Sequence, residues 1–352
     1  MNGPALMPAE WEPHAATWIA WPHNRGDWPG KFPPIPWVYA EIVRKLLPHE
    51  KVRILVNSAA HEAKARRIMS KAGVLSADVQ FFHIPTNRTW ARDFGPVYVR
   101  CGPPAPALAI AGFRFNAWAK YPDWELDCEV SRRIAEATGR AFVPTDFRGD
   151  LFVLEGGSID VNGRGSLLTT EECLLDKDVQ VRNPGAGRGD VEAVLKKSLG
   201  AERVLWLGRG IAGDDTHGHV DDLCRFTSPN SVVLCREPDP AELNYRALEE
   251  NRERLEGFRL EDGTRPETAF IPMPAPLFHA GQRLPASYAN FYIANGIVLV
   301  PTFNDPRDRQ ALGILAELFP GRTVVGIHAV DLVWGLGTLH CLTQQEPVES
   351  PI

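Results

Sequence analysis

Short runs of Val, Ile, Phe and Tyr that break at Gly, Pro, Asn or Asp recur along the whole chain. They predict strands at 51–58, 79–85, 96–100, 107–115, 152–161, 166–175, 204–208, 219–226, 231–236, 269–274, 288–303 and 323–330. Between them, apolar residues return at three- and four-residue intervals and predict helices at 38–47, 62–72, 125–137, 190–199, 241–256 and 307–318. The Pro-rich stretches 29–36 and 102–106 read as loops rather than linkers, so residues 1–352 are expected to form a single domain.

The order of the elements carries more than their number. From Asp93 the chain runs strand, strand, helix, strand, and this order restarts near Phe152, His219 and Tyr288. A last strand at 338–344 is expected to pair with 51–58 and complete a fifth unit across the termini. Repetition at this period suggests a ring or array in an α/β chain. In a closed ring the first strands of all units meet at the axis.

Composition narrows the partners. The chain has 352 residues, 44% hydrophobic and 23% charged, with a formal net charge of −6. Mild acidity argues against broad nucleic-acid binding and weakly favours a cationic ligand. The longest apolar stretch, 292–301, is short of the ~20 residues that cross a bilayer, so no membrane partner is expected. The first ten residues lack a basic and an apolar region, which argues against a secretory signal. The six cysteines (Cys101, Cys128, Cys173, Cys224, Cys235 and Cys341) form no C-x-x-C pair. They read neither as a disulfide framework nor as a zinc ribbon, and a reducing cytoplasm is the simplest compartment. Cys173, Cys224 and Cys235 lie in apolar runs and read as small buried hydrophobes.

Polar residues keep step with the repeat. Asp93, Glu155, His219, Asn290 and Cys341 are separated by 62, 64, 71 and 51 residues, about one per unit and near the same point of each. A ring would gather them in one cleft. A cysteine acts as a nucleophile only as thiolate, so its proton must be lost to a lowered pKa or to the field of a cationic substrate. A histidine passes protons near neutral pH, and a carboxylate can fix its tautomer. Carboxylates converging without an arginine repel one another unless the missing partner is a cationic substrate. A guanidinium fits that role, because it is planar, permanently charged and gripped edge-on by paired hydrogen bonds. Taken singly, Asp93 reads as a turn cap, Glu155-Gly-Gly as a bulge and Asn290 as a structural amide. With alternation of period two, Asp221 shares a strand face with His219, and Asp222 points away.

The chain resembles the agmatine deiminase and bacterial peptidylarginine deiminase family. The resemblance rests on Pro8-Ala-Glu-Trp-Glu-Pro-His14, Trp90-Ala-Arg-Asp-Phe-Gly-Pro96, Glu155-Gly-Gly-Ser158, Thr216-His-Gly-His-Val-Asp221, Tyr288-Ala-Asn-Phe-Tyr-Ile-Ala-Asn-Gly296 and His340-Cys-Leu-Thr-Gln-Gln-Glu-Pro347, in order across nearly the whole chain. It implies the pentein fold, a five-bladed α/β propeller of ββαβ units. It further implies Cys341 as the nucleophile, His219 as general acid and base, Asp93 and Asp221 as guanidinium ligands, Glu155 as the acid that orients the histidine, and Trp90 as an aromatic of the substrate channel. The implied reaction is a hydrolysis through a cysteine thiouronium, with no metal or organic cofactor. The implied substrate is a small cationic guanidino compound, and a homo-oligomer is compatible with the family. Agmatine leads, giving N-carbamoylputrescine and ammonia on the way to putrescine; free or peptidyl arginine is the alternative.

The chain departs from the family pattern at three places. Leu336 stands where a glycine is usual and Thr338 where an asparagine is usual. His217 stands where asparagine or aspartate is common, and 23–32 differs as a stretch. A reading from another class remains at this stage. His217, His219 and Asp221 at every second residue could share a strand face and hold zinc or iron for a metal-dependent amidohydrolase.

Overall fold

The computed structural model describes residues 5–102 and 107–349. Five sheets share one plan: a first strand lies antiparallel to a second, and a third, reached through a helix, lies parallel to the second. The first sheet joins Val97–Cys101, Ala107–Gly112 and Phe142–Pro144, with Ala5–Leu6 on its outer edge. The second joins Asp160–Val161, Ser166–Thr170 and Arg203–Leu207. The third joins Cys224–Ser228, Ser231–Arg236 and Glu267–Pro272, and the fourth Tyr292–Ala294, Ile297–Thr302 and Thr323–His328. The fifth closes across the termini. Thr343–Pro347 pairs with His14–Ala20, which runs parallel to Lys51–Val56, itself parallel to Val79–His83.

The crossover helices bury the faces that their periodicity marks. Val130–Thr138 turns Val130, Ile134 and Ala135 inward and ends at Gly139 in the left-handed region (φ 67°). Arg188–Leu199 buries Val191, Val194, Leu195 and Leu199 and ends the same way at Gly200 (φ 72°), where glycine carries no Cβ penalty. Ile35–Leu46, Ala59–Lys71, Asn244–Gly257 and Arg307–Leu318 complete the set. The apolar interior divides in two. One cluster, around Val99, Phe152, Leu195 and Trp206, serves the first and second sheets. The larger one runs from Trp18 to Leu342 through the other three and takes in Tyr98, Ile110, Leu168 and Leu205 from the first two.

Two expectations need correction. The fifth sheet does close across the termini, but His14–Ala20 sits between the final strand and Lys51–Val56. That strand, His-Ala-Ala-Thr-Trp-Ile-Ala, is buried on both faces, so it lacks the alternation that marks a strand. The polar residues also do not sit on the first strands. They sit on short helical turns just ahead of them: Ala91–Phe94, Gly156–Ser158, Val220–Asp222, the turn ending at Asn290, and Leu339–Leu342. The expected strands 152–161 and 219–226 are therefore each broken by a turn. The turns touch in cyclic order. Leu339–Leu342 packs on Ala91–Phe94, that on Gly156–Ser158, and that on Val220–Asp222. Asn290 reaches both Asp222 and Cys341. Among the described residues no helix is long and apolar enough to cross a membrane.

Candidate active site

The five turns bring Cys341, His219, Asp93, Asp221 and Glu155 together, all of them buried. The Cys341 Sγ lies 4.0 Å from Asp221 Oδ2. His219 Nδ1 lies 3.8 Å from Asp93 Oδ1 and 4.0 Å from Asp221 Oδ1, and its Nε2 lies 3.6 Å from Glu155 Oε2. Two adjacent glycines make this approach possible. A Cβ at Gly157 would stand 2.6 Å from His219 Nδ1 and 2.8 Å from Asp93 Oδ1, and one at Gly156 would stand 2.2 Å from the Arg92 carbonyl oxygen. The Glu155-Gly-Gly segment is thus a point of contact between turns, not a strand bulge.

Each acid is fixed by donors from elsewhere in the chain. Asp93 accepts from the Trp118 indole N–H at 2.9 Å and from the Gly157 amide at 3.0 Å. Glu155 Oε1 accepts from Arg182 Nε at 3.0 Å, while its Oε2 has no hydrogen-bond partner. Asp221 Oδ2 is 2.7 Å from His340 Nδ1, and its Oδ1 is unpartnered. His340 Nε2 is in turn 2.7 Å from Glu10 Oε2. Arg92 and Arg225 hold the same Glu10 at 3.0 and 3.1 Å. Asn290 donates to Cys341 Sγ at 3.2 Å and accepts from Thr338 Oγ1 and the His340 amide. The structural amide expected there is the clamp on the loop that carries the cysteine.

The electrostatics are those of a site short of one positive charge. Burial pushes the Cys341 thiol well above its ordinary range, and Asp221, Asp222 and Asp93 push the same way. Burial also raises Asp93, to about 6; His219 opposes this, while Asp221 and Glu155 add to it. For Glu155, burial is outweighed by Arg182 and His219, which hold it at about 2. Burial disfavours charge on His219, yet Asp93 and its other neighbours overcome it and raise the ring well above its ordinary value. Among these side chains alone, the arrangement favours a protonated imidazole and a neutral thiol. A cation between Asp93 and Asp221 reverses the field that the sulfur feels.

The mouth is a cavity of about 390 Å³ whose floor includes Cys341 and Asp93 and whose walls include Trp90 and Trp118. Trp90 packs on Trp28 with ring centroids 5.3 Å apart. Gly337 lets the chain pass beside it, since a Cβ there would stand 2.7 Å from the Trp90 ring. Farther out lie Asp27, Asp123, Asp215 and Arg88. Arg88 is committed to Asp27 at 2.6 Å and to Asp123 at 2.8 Å. Lys120 Nζ and the Tyr121 hydroxyl both reach Asp215, at 2.6 and 2.7 Å.

The alternative metal triad does not assemble. His217 points to Asp176, with Nε2 2.8 Å from Oδ2, and leaves His219 and Asp221 to the turn. Alternation of period two does not apply, because His219 caps a 3-10 turn at 220–222 and no strand runs through these residues. Both His217 (φ 65°) and Leu336 (φ 68°) occupy the left-handed region. That backbone suits the Asn or Asp and the Gly usual at these positions in the family that the motifs resemble. The two departures keep the conformation and change only the side chain.

Known proteins resemble this chain along nearly its whole length. A family model described as Porphyromonas-type peptidyl-arginine deiminase matches residues 6–347. The chain belongs to this deiminase family. Among curated relatives, an agmatine deiminase of Ectopseudomonas mendocina is 34% identical over 365 aligned residues, 97% of this chain and 95% of that one. Among solved structures, agmatine deiminase of Enterococcus faecalis superposes with a TM-score of 0.88 at 30% identity, covering 98% and 96% of the two chains. A C. jejuni agmatine deiminase with a cysteine replaced by serine, solved with substrate bound, superposes with a TM-score of 0.86 at 29% identity, covering 97% and 96%. The family shares the mixed α/β fold and hydrolyses C–N bonds of amidines.

Several residues of this site escaped the sequence reading. Arg182 and Trp118 carry no local signal, and Glu10 lies in the Pro8–His14 motif without a sign of its role, since each acts through a partner at least 25 residues away. Cys173, expected to be an inert hydrophobe, lies with Glu155 and His219, their ligand atoms within 4.8 Å of one another. Its setting in Thr-Thr-Glu-Glu-Cys, a strand end and a helix start, was the only available clue.

Proposed function

We propose that this chain is an agmatine deiminase working through Cys341, with the five sheets as the blades of one pseudo-fivefold catalytic domain. The observation that carries the reading is a buried thiol facing two acids, Asp93 and Asp221, that no arginine or lysine among the described residues contacts. The curated relatives and the substrate-bound C. jejuni enzyme support agmatine as the substrate.

The chemistry follows from the charges. The guanidinium enters between Asp93 and Asp221 and supplies the missing positive charge, so the Cys341 thiol loses its proton to solvent. The thiolate adds to the guanidinium carbon and gives a tetrahedral adduct. His219, protonated beside Asp93 and Glu155, gives its proton to the departing amino group, and ammonia leaves the adduct, which becomes an S-alkylthiouronium. The now neutral ring takes a proton from water, hydroxide adds to the same carbon, and collapse releases the ureido product and the thiolate, with the hydroxyl proton passing to solvent. Trp90 and Trp118 line the approach, and Gly156 and Gly157 allow the turns to close.

The outer cavity supports a dication over a zwitterion. Three aspartates line it; Arg88 is held by two of them and Lys120 by the third, Asp215, so the acids outnumber the cations that hold them. A free carboxylate, as in arginine, would meet Asp27, Asp123 and Asp215. A distal ammonium would find Asp215 within reach beside the Tyr121 hydroxyl. Ammonia release measured with agmatine, arginine and a blocked arginine peptide tests the reading. Agmatine should give the highest kcat/KM by at least about tenfold, a difference of ~1.4 kcal/mol. Equal or faster turnover of the peptide would shift the assignment to peptidyl arginine, and absence of ammonia from all three would overturn it.

A further inference from the structure

Behind the imidazole, on the side away from the cavity floor, three side chains converge that the proposed reaction uses only in part. Cys173 (2% exposed), Glu155 (0%) and His219 (1%) come from three different segments. The ligand atoms of all three lie within 4.8 Å of one another. Two of those atoms, His219 Nε2 and Glu155 Oε2, find no hydrogen-bond partner among the described residues, and they face each other at 3.6 Å. Arg182 takes Oε1 of the carboxylate and leaves Oε2 aimed at the ring. Thr170 accepts from the Cys173 amide at 3.0 Å and fixes the first turn of the helix that carries the thiol.

The ring and the carboxylate attract each other across that gap without closing it to a hydrogen bond, so a cation bonded to both gains. A thiolate, an imidazole and a carboxylate are the ligand set of zinc-class divalent cations. At bond lengths of about 2.0–2.3 Å, the ligand atoms of a tetrahedral site stand roughly 3.3–3.6 Å apart. The N···O separation already matches, and only the sulfur has to close in.

We propose that Glu155, Cys173 and His219 form an inhibitory site for a zinc-class divalent cation. Binding forms bonds from the metal to Cys173 Sγ, His219 Nε2 and Glu155 Oε2. The thiol proton and any proton on Nε2 pass to solvent, with no change of oxidation state. The metal then pins the ring and withdraws it from proton transfer, while Cys341 and the cavity stay free. This separates the site from the common inhibition of thiol enzymes by metal capture at the nucleophile. The inhibitory consequence rests on the proton role proposed for His219; the binding does not.

The test uses the full chain, stripped of metal and titrated with Co²⁺ or Zn²⁺ alone. Expected are one Co²⁺ per chain and a thiolate-to-cobalt charge-transfer band, both kept in Cys341→Ser and lost in Cys173→Ser. Zn²⁺ should displace the cobalt and inhibit turnover, and Cys173→Ser should be at least about tenfold less sensitive. If that variant does not fold, anomalous diffraction at the zinc edge from the unmutated chain should locate the ion within about 2.5 Å of Cys173 Sγ. No charge-transfer band, a band that survives Cys173→Ser, or an ion found on Cys341 would overturn the site. Binding at Cys173 that leaves turnover untouched would overturn the inhibitory claim. Cobalt binding in Cys341→Ser is read without any turnover, so it reports on this site even if the deiminase reading fails.

Discussion

Two acid-rich pockets sit side by side in this protein, and they differ in who neutralises the acids. Around Glu10, the charges are matched: Arg92 and Arg225 hold the carboxylate and His340 shares it. Burial opposes ionisation there, but Arg225, His340 and Arg92 outweigh it and draw Glu10 well below the ordinary carboxylate range. Around Cys341, Asp93 and Asp221 converge with one histidine between them and no arginine. There burial and like charges raise Asp93 and the thiol instead. Burial is the same in both; the count of cations is not. A matched pocket ties together distant parts of the chain, here residues 10, 92, 225 and 340. An unmatched pocket stores a deficit that a ligand of opposite charge can fill. His340 and Asp221 lie on the border between the two, 2.7 Å apart.

The contrast can be probed by substitution, starting with the largest effect. Cys341→Ala should lower kcat by at least about four orders of magnitude and leave the melting temperature close to that of the parent chain. Turnover within tenfold of the parent would refute the nucleophile. Glu10→Gln attacks the matched pocket and should do the opposite. It leaves two buried guanidinium groups short of a partner and should cost about 3–5 kcal/mol of unfolding free energy by denaturant titration. A stability loss below 1 kcal/mol would mean that the pocket is not held by its charges.

Asp93→Asn should fall between them. Loss of a charge-assisted contact to the guanidinium should lower kcat/KM for agmatine by a factor corresponding to about 1.5–3 kcal/mol. One of its two donors, Trp118 Nε1 or the Gly157 amide, would then face an amide N–H, so a stability loss smaller than that of Glu10→Gln should accompany it. Unchanged kinetics would remove Asp93 from the substrate site.

The same residue predicts a pH profile. Asp93 has a raised value of about 6. Its charge is therefore lost as pH falls through 6, and kcat/KM should decline on the acid side of that point. For Glu155 the sign is reversed. Its value is lowered to about 2, so its contribution to stability is complete above the ordinary value of about 4.5 and fades only between there and 2. Acid titration of activity and of folding should separate by more than one pH unit. Coincident curves would contradict the division between the two carboxylates.

The smallest effect is expected at the cavity mouth. Asp215→Asn should raise KM for agmatine a few-fold with little change in kcat, because partly solvated ion pairs contribute only about 1 kcal/mol or less. A larger fall in kcat than in affinity would assign Asp215 a part in the chemistry.

The amino-acid sequence by itself determined the repeat, the crossover helices, the closure of the fifth sheet across the termini, and the five polar positions that end up adjacent. These are legible because hydrophobic periodicity and ordered motifs are local properties of the chain. The strand His14–Ala20 was not legible, because full burial erases alternation. The helical turns under the polar residues were read as strands, because a four-residue turn flanked by apolar residues has the same composition as a strand end. Only the tertiary structure decided that His217 turns to Asp176 while Cys173 joins His219, that Asn290 grips the cysteine, and that Glu10 collects two arginines from residues 92 and 225. Those outcomes depend on which segments meet in space, and a partner 40 or more residues away leaves no mark on its neighbours in sequence.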